Sequence, residues 1–314
     1  MKRVQAETAR WDPRKPGEGT VPELSDLIGL RALVHKGSGG RRGSHGVQAL
    51  APSLLLGRGM EYAESRRYVP GDDARLIDWR VTARTGRTHT KLFQAERERL
   101  TLIVADTAPT LYFGTRVRFK SVQAARAGAL AAWRAVRDGD RVAALRGSLR
   151  EGPIPPASGP RGALRVLDAL VRWYRAPAAE DAGLALALDR ARRLLRPGSR
   201  LVVLADPASV VAIPETLWPG LARHIDVHVL LLTDPLERRP PVARLPFATA
   251  GGRLELGLDQ AGVRQRWKQA FDGPLDEALS RLSRFGLAAA PLSCDATAEV
   301  ARELLRRPPQ GRAS

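Results

Sequence analysis

Three carboxylates stand where a sheet would gather them. Asp106, Asp206 and Asp234 each follow an apolar run, Leu100–Ala105, Arg200–Ala205 and Asp226–Thr233. Such runs suit strands buried on both faces. In an open α/β sheet the residues just past the strands meet at the carboxyl edge, where ligands bind. A second concentration of chemistry lies upstream, from Glu61 to Thr85, around the Pro70-Gly71 turn. There Arg66, Arg67, Arg75, Arg80 and Arg84 balance Asp72, Asp73 and Asp78, with Tyr68 and Trp79 among them. A segment of this kind either closes on itself as an ion-pair network, which counts for stability only where it is partly buried, or presents a docking surface. Trp79 is suited to anchoring the helix that carries it.

Enzymatic motifs are missing. The chain has no Gly-x-Ser-x-Gly elbow, no His-Glu-x-x-His and no P-loop, and its five His residues have no evident catalytic companions. The basic loop from Lys36 to Gly46 is rich in glycine but lacks the Gly-Lys-Ser/Thr ending, so it reads as a linker. Cys294 is the single cysteine, which excludes internal disulfides and Cys-based zinc sites and fits a reducing compartment. It precedes an expected helix, whose N-terminus would lower a thiol pKa, but a lone cysteine is more often a packing residue. We expect a protein that is not an enzyme.

The elements that must position these residues follow from patterning. Apolar residues at helical spacing predict a helix over 22–34, and Asp72 or Asp73 is a natural N-cap for a short helix running through Arg84. From residue 100, strands alternate with helices. Strands are expected at 100–105, 140–146, 200–206, 226–234 and 287–292, and helices at 120–137, 161–175, 184–195, 261–285 and 296–305. Gly251-Gly252 marks a hairpin within 242–257. The alternation implies an α/β fold with a mostly parallel sheet and helices on both faces. We divide the chain into a disordered tail at 1–20, an N-terminal subdomain at 21–98, an α/β domain at 99–308 and a tail at 309–314.

The chain has 314 residues, 44% hydrophobic and 27% charged, enough for a full core. Its net charge is +18, yet only six of the 51 basic residues are Lys. An Arg excess spread over many helices reads first as compositional bias. Nucleic-acid binding needs the charge clustered on one face, and an aromatic content of 5% argues against a base-stacking platform. The first residues have no apolar core, so no signal peptide is expected, and no apolar run approaches the roughly 18 residues of a membrane span. The expected location is cytoplasmic, with the inner membrane face open to a peripheral protein.

The run Arg67-Tyr68-Val69-Pro70-Gly71-Asp72-Asp73-Ala74-Arg75-Leu76-Ile77-Asp78-Trp79-Arg80-Val81-Thr82-Ala83-Arg84 closely resembles the signature of the bacterial domain-of-unknown-function family 58 (DUF 58). Phe113-Gly114, Lys120 and Gly139-Asp140-Arg141-Val142 also fit its pattern. The match covers roughly residues 55–150, and the later chain matches mainly in its order of elements. Members resemble von Willebrand factor A-type proteins, and many are encoded beside MoxR-type AAA ATPases. The resemblance therefore implies a von Willebrand A-like, Rossmann-like fold and a non-catalytic adaptor. Its partners would be a MoxR-type AAA ATPase and other von Willebrand A-type proteins, and its task complex assembly or chaperone-like remodelling. The partner-binding residues implied are Arg67, Tyr68, Asp72, Asp73, Arg75, Asp78, Trp79 and Arg84. The alternative is a protein that binds nucleic acid or an anionic membrane surface through its basic charge.

The same resemblance implies a Mg²⁺ site at the sheet edge, built on Asp-x-Ser-x-Ser, a loop Thr and a late Asp. Such an ion takes oxygen ligands in octahedral geometry. Asp106, Thr110 and Asp206 match that pattern. Ala108 lacks the first hydroxyl, and Ala182 stands where the loop Thr is expected, with Asp181 beside it as a substitute. The site reads as degenerate, and the usual complement is no cofactor.

Overall fold

The computed structural model describes residues 19–35, 60–95, 99–178, 180–249 and 252–306. The tail expected over 1–20 (its last two residues apart), the basic loop from Lys36 and the tail over 309–314 lie outside them. The chain forms two compact units, Met1–Gly39 with Arg99–Ser314, and Gly40–Glu98.

Helices α1 (Leu24–Gly29) and α2 (Arg31–His35) replace the single helix predicted over 22–34. The break follows Gly29, a weak helix former. Both helices belong to the larger unit, although the sequence boundary puts 21–98 in one subdomain. The reason is burial. Leu27, Leu30 and Val34 join the large core, and the Trp133 indole donates to the Leu27 carbonyl at 3.0 Å.

The smaller unit is built on β1 (Met60–Arg67), α3 (Trp79–Thr85) and β2 (His89–Ala95). The strands pair antiparallel from Met60↔Ala95 to Arg67↔His89. Patterning predicts one helix from Asp72 or Asp73 to Arg84. Instead a short 3₁₀ turn covers Ala74–Leu76, Ile77 is extended, and the helix starts at Trp79. Cross-chain pairing overrides local propensity here. Ile77 bridges to Thr90, and the Asp78 amide donates to the His89 carbonyl at 2.8 Å.

The larger unit runs β3 (Leu100–Ala105), α4 (Lys120–Asp138), β4 (Arg141–Arg146), β5 (Ile154–Ala157), α5 (Gly159–Trp173), α6 (Gly183–Leu194), β6 (Arg200–Ala205), α7 (Pro207–Val211), α8 (Trp218–Ala222), β7 (Asp226–Thr233), α9 (Pro235–Arg238), β8 (Arg244–Thr249), β9 (Gly252–Gly257), α10 (Ala261–Arg284), β10 (Ala288–Ser293) and α11 (Ala298–Arg306). Six strands form one sheet in the order β10-β7-β6-β3-β4-β5. All pair in parallel except β5. Patterning does not predict β5, whose two prolines suit only an edge strand. The hairpin predicted within 242–257 is β8–β9.

Alternate strand residues face two cores. Ile103 and Ala105 enter the one closed by α4 and α5, and Leu102 and Val104 the one closed by α6, α7 and α10. Helix α4 is rich in alanine because it lies close to its neighbours. A Cβ on Gly128 would fall 2.8 Å from a Leu170 methyl. The amino edge of the sheet is tied by charge. Asp140 accepts from the Thr101 hydroxyl at 2.6 Å, and Arg200 bridges to Asp138 and Asp226. The order of strands reverses between β3 and β6, so their carboxyl ends form the crevice where such sheets bind ligands.

The loop from β3 to α4 folds tightly on itself. A Cβ at Gly114 would meet the Arg118 carbonyl oxygen at 2.2 Å, and backbone cannot move aside cheaply. We expect Gly114→Ala to destabilise the protein by about 1–3 kcal/mol, read as a lower midpoint in urea unfolding.

Candidate functional site

The three strand-terminal aspartates do gather at the carboxyl edge, and each also starts or supports the next element. Asp106 accepts from the Ala108 amide with one oxygen and from the Asp206 amide with the other, both at 3.0 Å. Asp206 caps α7 through the Ala208 amide, ahead of Pro207 at the first helical position. Asp234 caps α9 in the same Asp-Pro arrangement, completed into a capping box by Glu237.

Lys120 binds this row together. It is the first residue of α4 and is only 2% exposed. Its ammonium donates to Asp206 at 2.8 Å and to Glu237 at 2.6 Å. Burial opposes its charge, but the attraction of Asp206 and Glu237 outweighs that and raises its pKa. The other Glu237 oxygen accepts from the Asp234 amide at 2.8 Å. Asp234, fully buried, accepts from the Thr115 amide and hydroxyl, the Leu236 amide and the Cys294 thiol. Burial and that carboxylate push the Cys294 pKa far above the usual thiol range, so it packs and donates rather than reacts. The helix expected to start beside it begins at Ala298.

The residues matched to Mg²⁺ do not fit that ion. Thr110 is exposed in a short 3₁₀ turn, and Ala108 has no hydroxyl. Each oxygen of Asp106 accepts from an amide, and Asp206 is shared between an amide and the Lys120 ammonium, a cation already in place. Asp181 accepts instead from the Thr107 hydroxyl at 2.8 Å and the Gly183 amide. Among the described residues no three His, Cys, Asp or Glu side chains are placed to hold an ion.

The charged signature of the smaller unit resolves into two sides. The carboxylates of Asp72, Asp73 and Asp78 meet partners within the unit. Asp72 pairs with Arg66 at 2.6 Å and accepts from the Val69 amide and the Thr90 hydroxyl. The Val69 amide and Arg66 hold its pKa below the ordinary carboxylate value. Asp73 accepts from the Arg75 amide. Asp78 is buried, accepts from the Ser65 hydroxyl at 2.7 Å and caps α3 through the Val81 amide. The Tyr68 amide donates to the Thr88 carbonyl. On the other side Trp79 is 69% exposed, and the exposed Arg67, Arg75, Arg80 and Arg84 make no ion pair among the described residues.

Sequence reasoning does not single out Lys120 or Glu237 as site residues. Two signals point to them. Asp234-Pro235-Leu236-Glu237 has the spacing of a capping box. A lysine at the first position of a helix opposes the helix dipole and needs a specific acidic partner.

Burial pushes the Asp106 pKa up from 3.8 to about 6, against the hydrogen bonds from Ser209, Asp206 and Ala108. The folded pKa lies above the unfolded one. Stability from the protonated group is therefore fully present below about pH 4 and lost as pH rises through about 6, a decline of roughly 3 kcal/mol. Unfolding free energies measured across that window should fall more steeply for the wild type than for Asp106→Asn.

The family model described as "Protein of unknown function DUF58" matches residues 64–273. Uncharacterized protein Rv1480 of Mycobacterium tuberculosis and uncharacterized protein Mb1516 of Mycobacterium bovis are each 33% identical over 212 residues, 66% of this chain and 67% of theirs. No solved structure matches. With the signature, the Phe-Gly and Lys positions and the Gly-Asp-Arg-Val turn all inside or beside that span, the chain belongs to the DUF58 family, whose function is unknown.

Proposed function

We propose that this protein is a non-catalytic adaptor. In this reading it works in the cytoplasm with a MoxR-type AAA ATPase, in complex assembly or chaperone-like remodelling, and meets the ATPase through the exposed face around α3. The observation that carries the reading is the division of the signature. Its acids are consumed inside the unit, while Trp79, Arg80 and Arg84 point outward with Arg67 and Arg75 nearby in sequence. Trp and Arg are the residue types enriched at the energetic centres of protein interfaces. Guanidinium groups with no ion pair among the described residues suit an acidic patch on the partner.

The larger unit supports a von Willebrand A-like reading through its strand order. Counted in chain order the six strands run 3-2-1-4-5-6 across the sheet, with helices on both faces. The groups at its carboxyl edge are engaged with one another, which favours a scaffold over a catalyst. No helix among the described residues is long and apolar enough to cross a membrane.

The test is binding of the purified chain to the MoxR-type ATPase encoded nearest to it, at physiological salt with ATP. Trp79→Ala combined with Arg84→Ala should weaken the complex about 10-fold or more without moving the melting temperature. Asp78→Ala should instead lower the melting temperature by several degrees, because it removes the α3 cap and the Ser65 bond. Full binding by the Trp79/Arg84 variant would move the interface elsewhere, and no complex with the wild type would overturn the adaptor reading.

A further inference from the structure

We infer that Lys120 is a built-in cation that stands in place of a divalent ion at the carboxyl edge of the sheet. Any partner that meets this edge then does so without a metal bridge. The inference rests on the larger unit alone and is independent of the interface proposed on α3.

Three observations carry it. The first is position. The ammonium lies between the residues that follow β6 and β7, beside the β3–β6 crevice where a parallel sheet of this order presents its ligands. The second is commitment. Lys120, Asp206 and Glu237 are each less than a tenth exposed, and the two ion pairs are 2.8 and 2.6 Å long. Charge-assisted bonds of that length in a dry environment are among the strong ones. The third is the cost of the arrangement. A positive charge at a helix N-terminus is disfavoured by the dipole, and a buried lysine is disfavoured by desolvation. Both costs are offset by its pairs with Asp206 and Glu237.

A metal bridge works by leaving a coordination position for a partner's oxygen. An ammonium has only N–H donors to offer, and here two bonds tie it to protein carboxylates. Asp206 and Glu237 therefore meet an ammonium and not a metal coordination site, and binding at this edge should be indifferent to chelators.

The experiment uses the full chain and its Lys120→Ala and Lys120→Met variants. Mn²⁺ is the metal probe, followed by the electron paramagnetic resonance signal of the free aqua ion, and ethylammonium is the probe of the vacated ammonium position. Expected for the wild type are a full free-Mn²⁺ signal and a melting temperature equal, within about a degree, in Mg²⁺ and in EDTA, since a ligand of the folded state would raise it. Both Lys120 variants should melt several degrees lower, because two buried carboxylates lose their counter-ion. Lys120→Ala should regain part of that loss with ethylammonium or Mn²⁺ and none with ethanol. Mn²⁺ uptake by the wild type that Asp206→Asn abolishes would overturn the inference. So would a Lys120→Met protein as stable as the wild type, or a folded Lys120→Ala protein that no cation stabilises. If neither variant folds, the wild-type Mn²⁺ titration still decides.

Discussion

The Lys120 ammonium between Asp206 and Glu237 is the interaction on which the carboxyl edge depends. Burying an ionised carboxylate without a partner is far more costly than any single contact nearby repays. Lys120 serves two at once, and each of those is also a helix-capping group. The same charges thus fix the starts of α4, α7 and α9 and the ends of β6 and β7. Asp106 joins them through the Asp206 amide, and Cys294 and Thr115 join through Asp234. Few positions in this row can change alone.

The two ends of the sheet use charge differently. At the amino edge the buried Arg200 meets the buried Asp140 and the part-exposed Asp138 and Asp226, and ties strand starts together. The outer members of this group, Asp138 and Asp226, keep contact with solvent, so salt screens their pairs in part. At the carboxyl edge the groups are dry, and removing one member leaves the others uncompensated. The smaller unit follows a third pattern. Asp72, Asp73 and Asp78 are engaged with turns, a helix start and Arg66 within the unit, while Arg67, Arg75, Arg80, Arg84 and Trp79 face solvent. On its acidic side the segment is a structural network, and the docking surface proposed above uses its basic side.

Much of the larger unit was legible before any coordinates. The strands at 100–105, 140–146, 200–206 and 226–234 form within a residue of their predicted bounds, because an apolar run between turn residues has little else to become. The convergence of Asp106, Asp206 and Asp234 follows from parallel pairing alone. What patterning could not supply were the elements that depend on distant partners. β5 needs the edge of β4 to tolerate its prolines, and the extended Ile77 needs Thr90. The Mg²⁺ pattern also needed coordinates, since spacing could not show that Thr110 faces solvent.

By itself the sequence determined the class of fold, the edge where chemistry gathers and the family signature, because these rest on local periodicity and on residue types at short spacing. Only the tertiary structure decided which charges meet. Lys120 lies 86 positions from Asp206 and 117 from Glu237. No local rule pairs residues so far apart. Closing those loops is unfavourable until the sheet and α4 have packed, and only then does burial bring the ammonium and the two carboxylates within reach of one another.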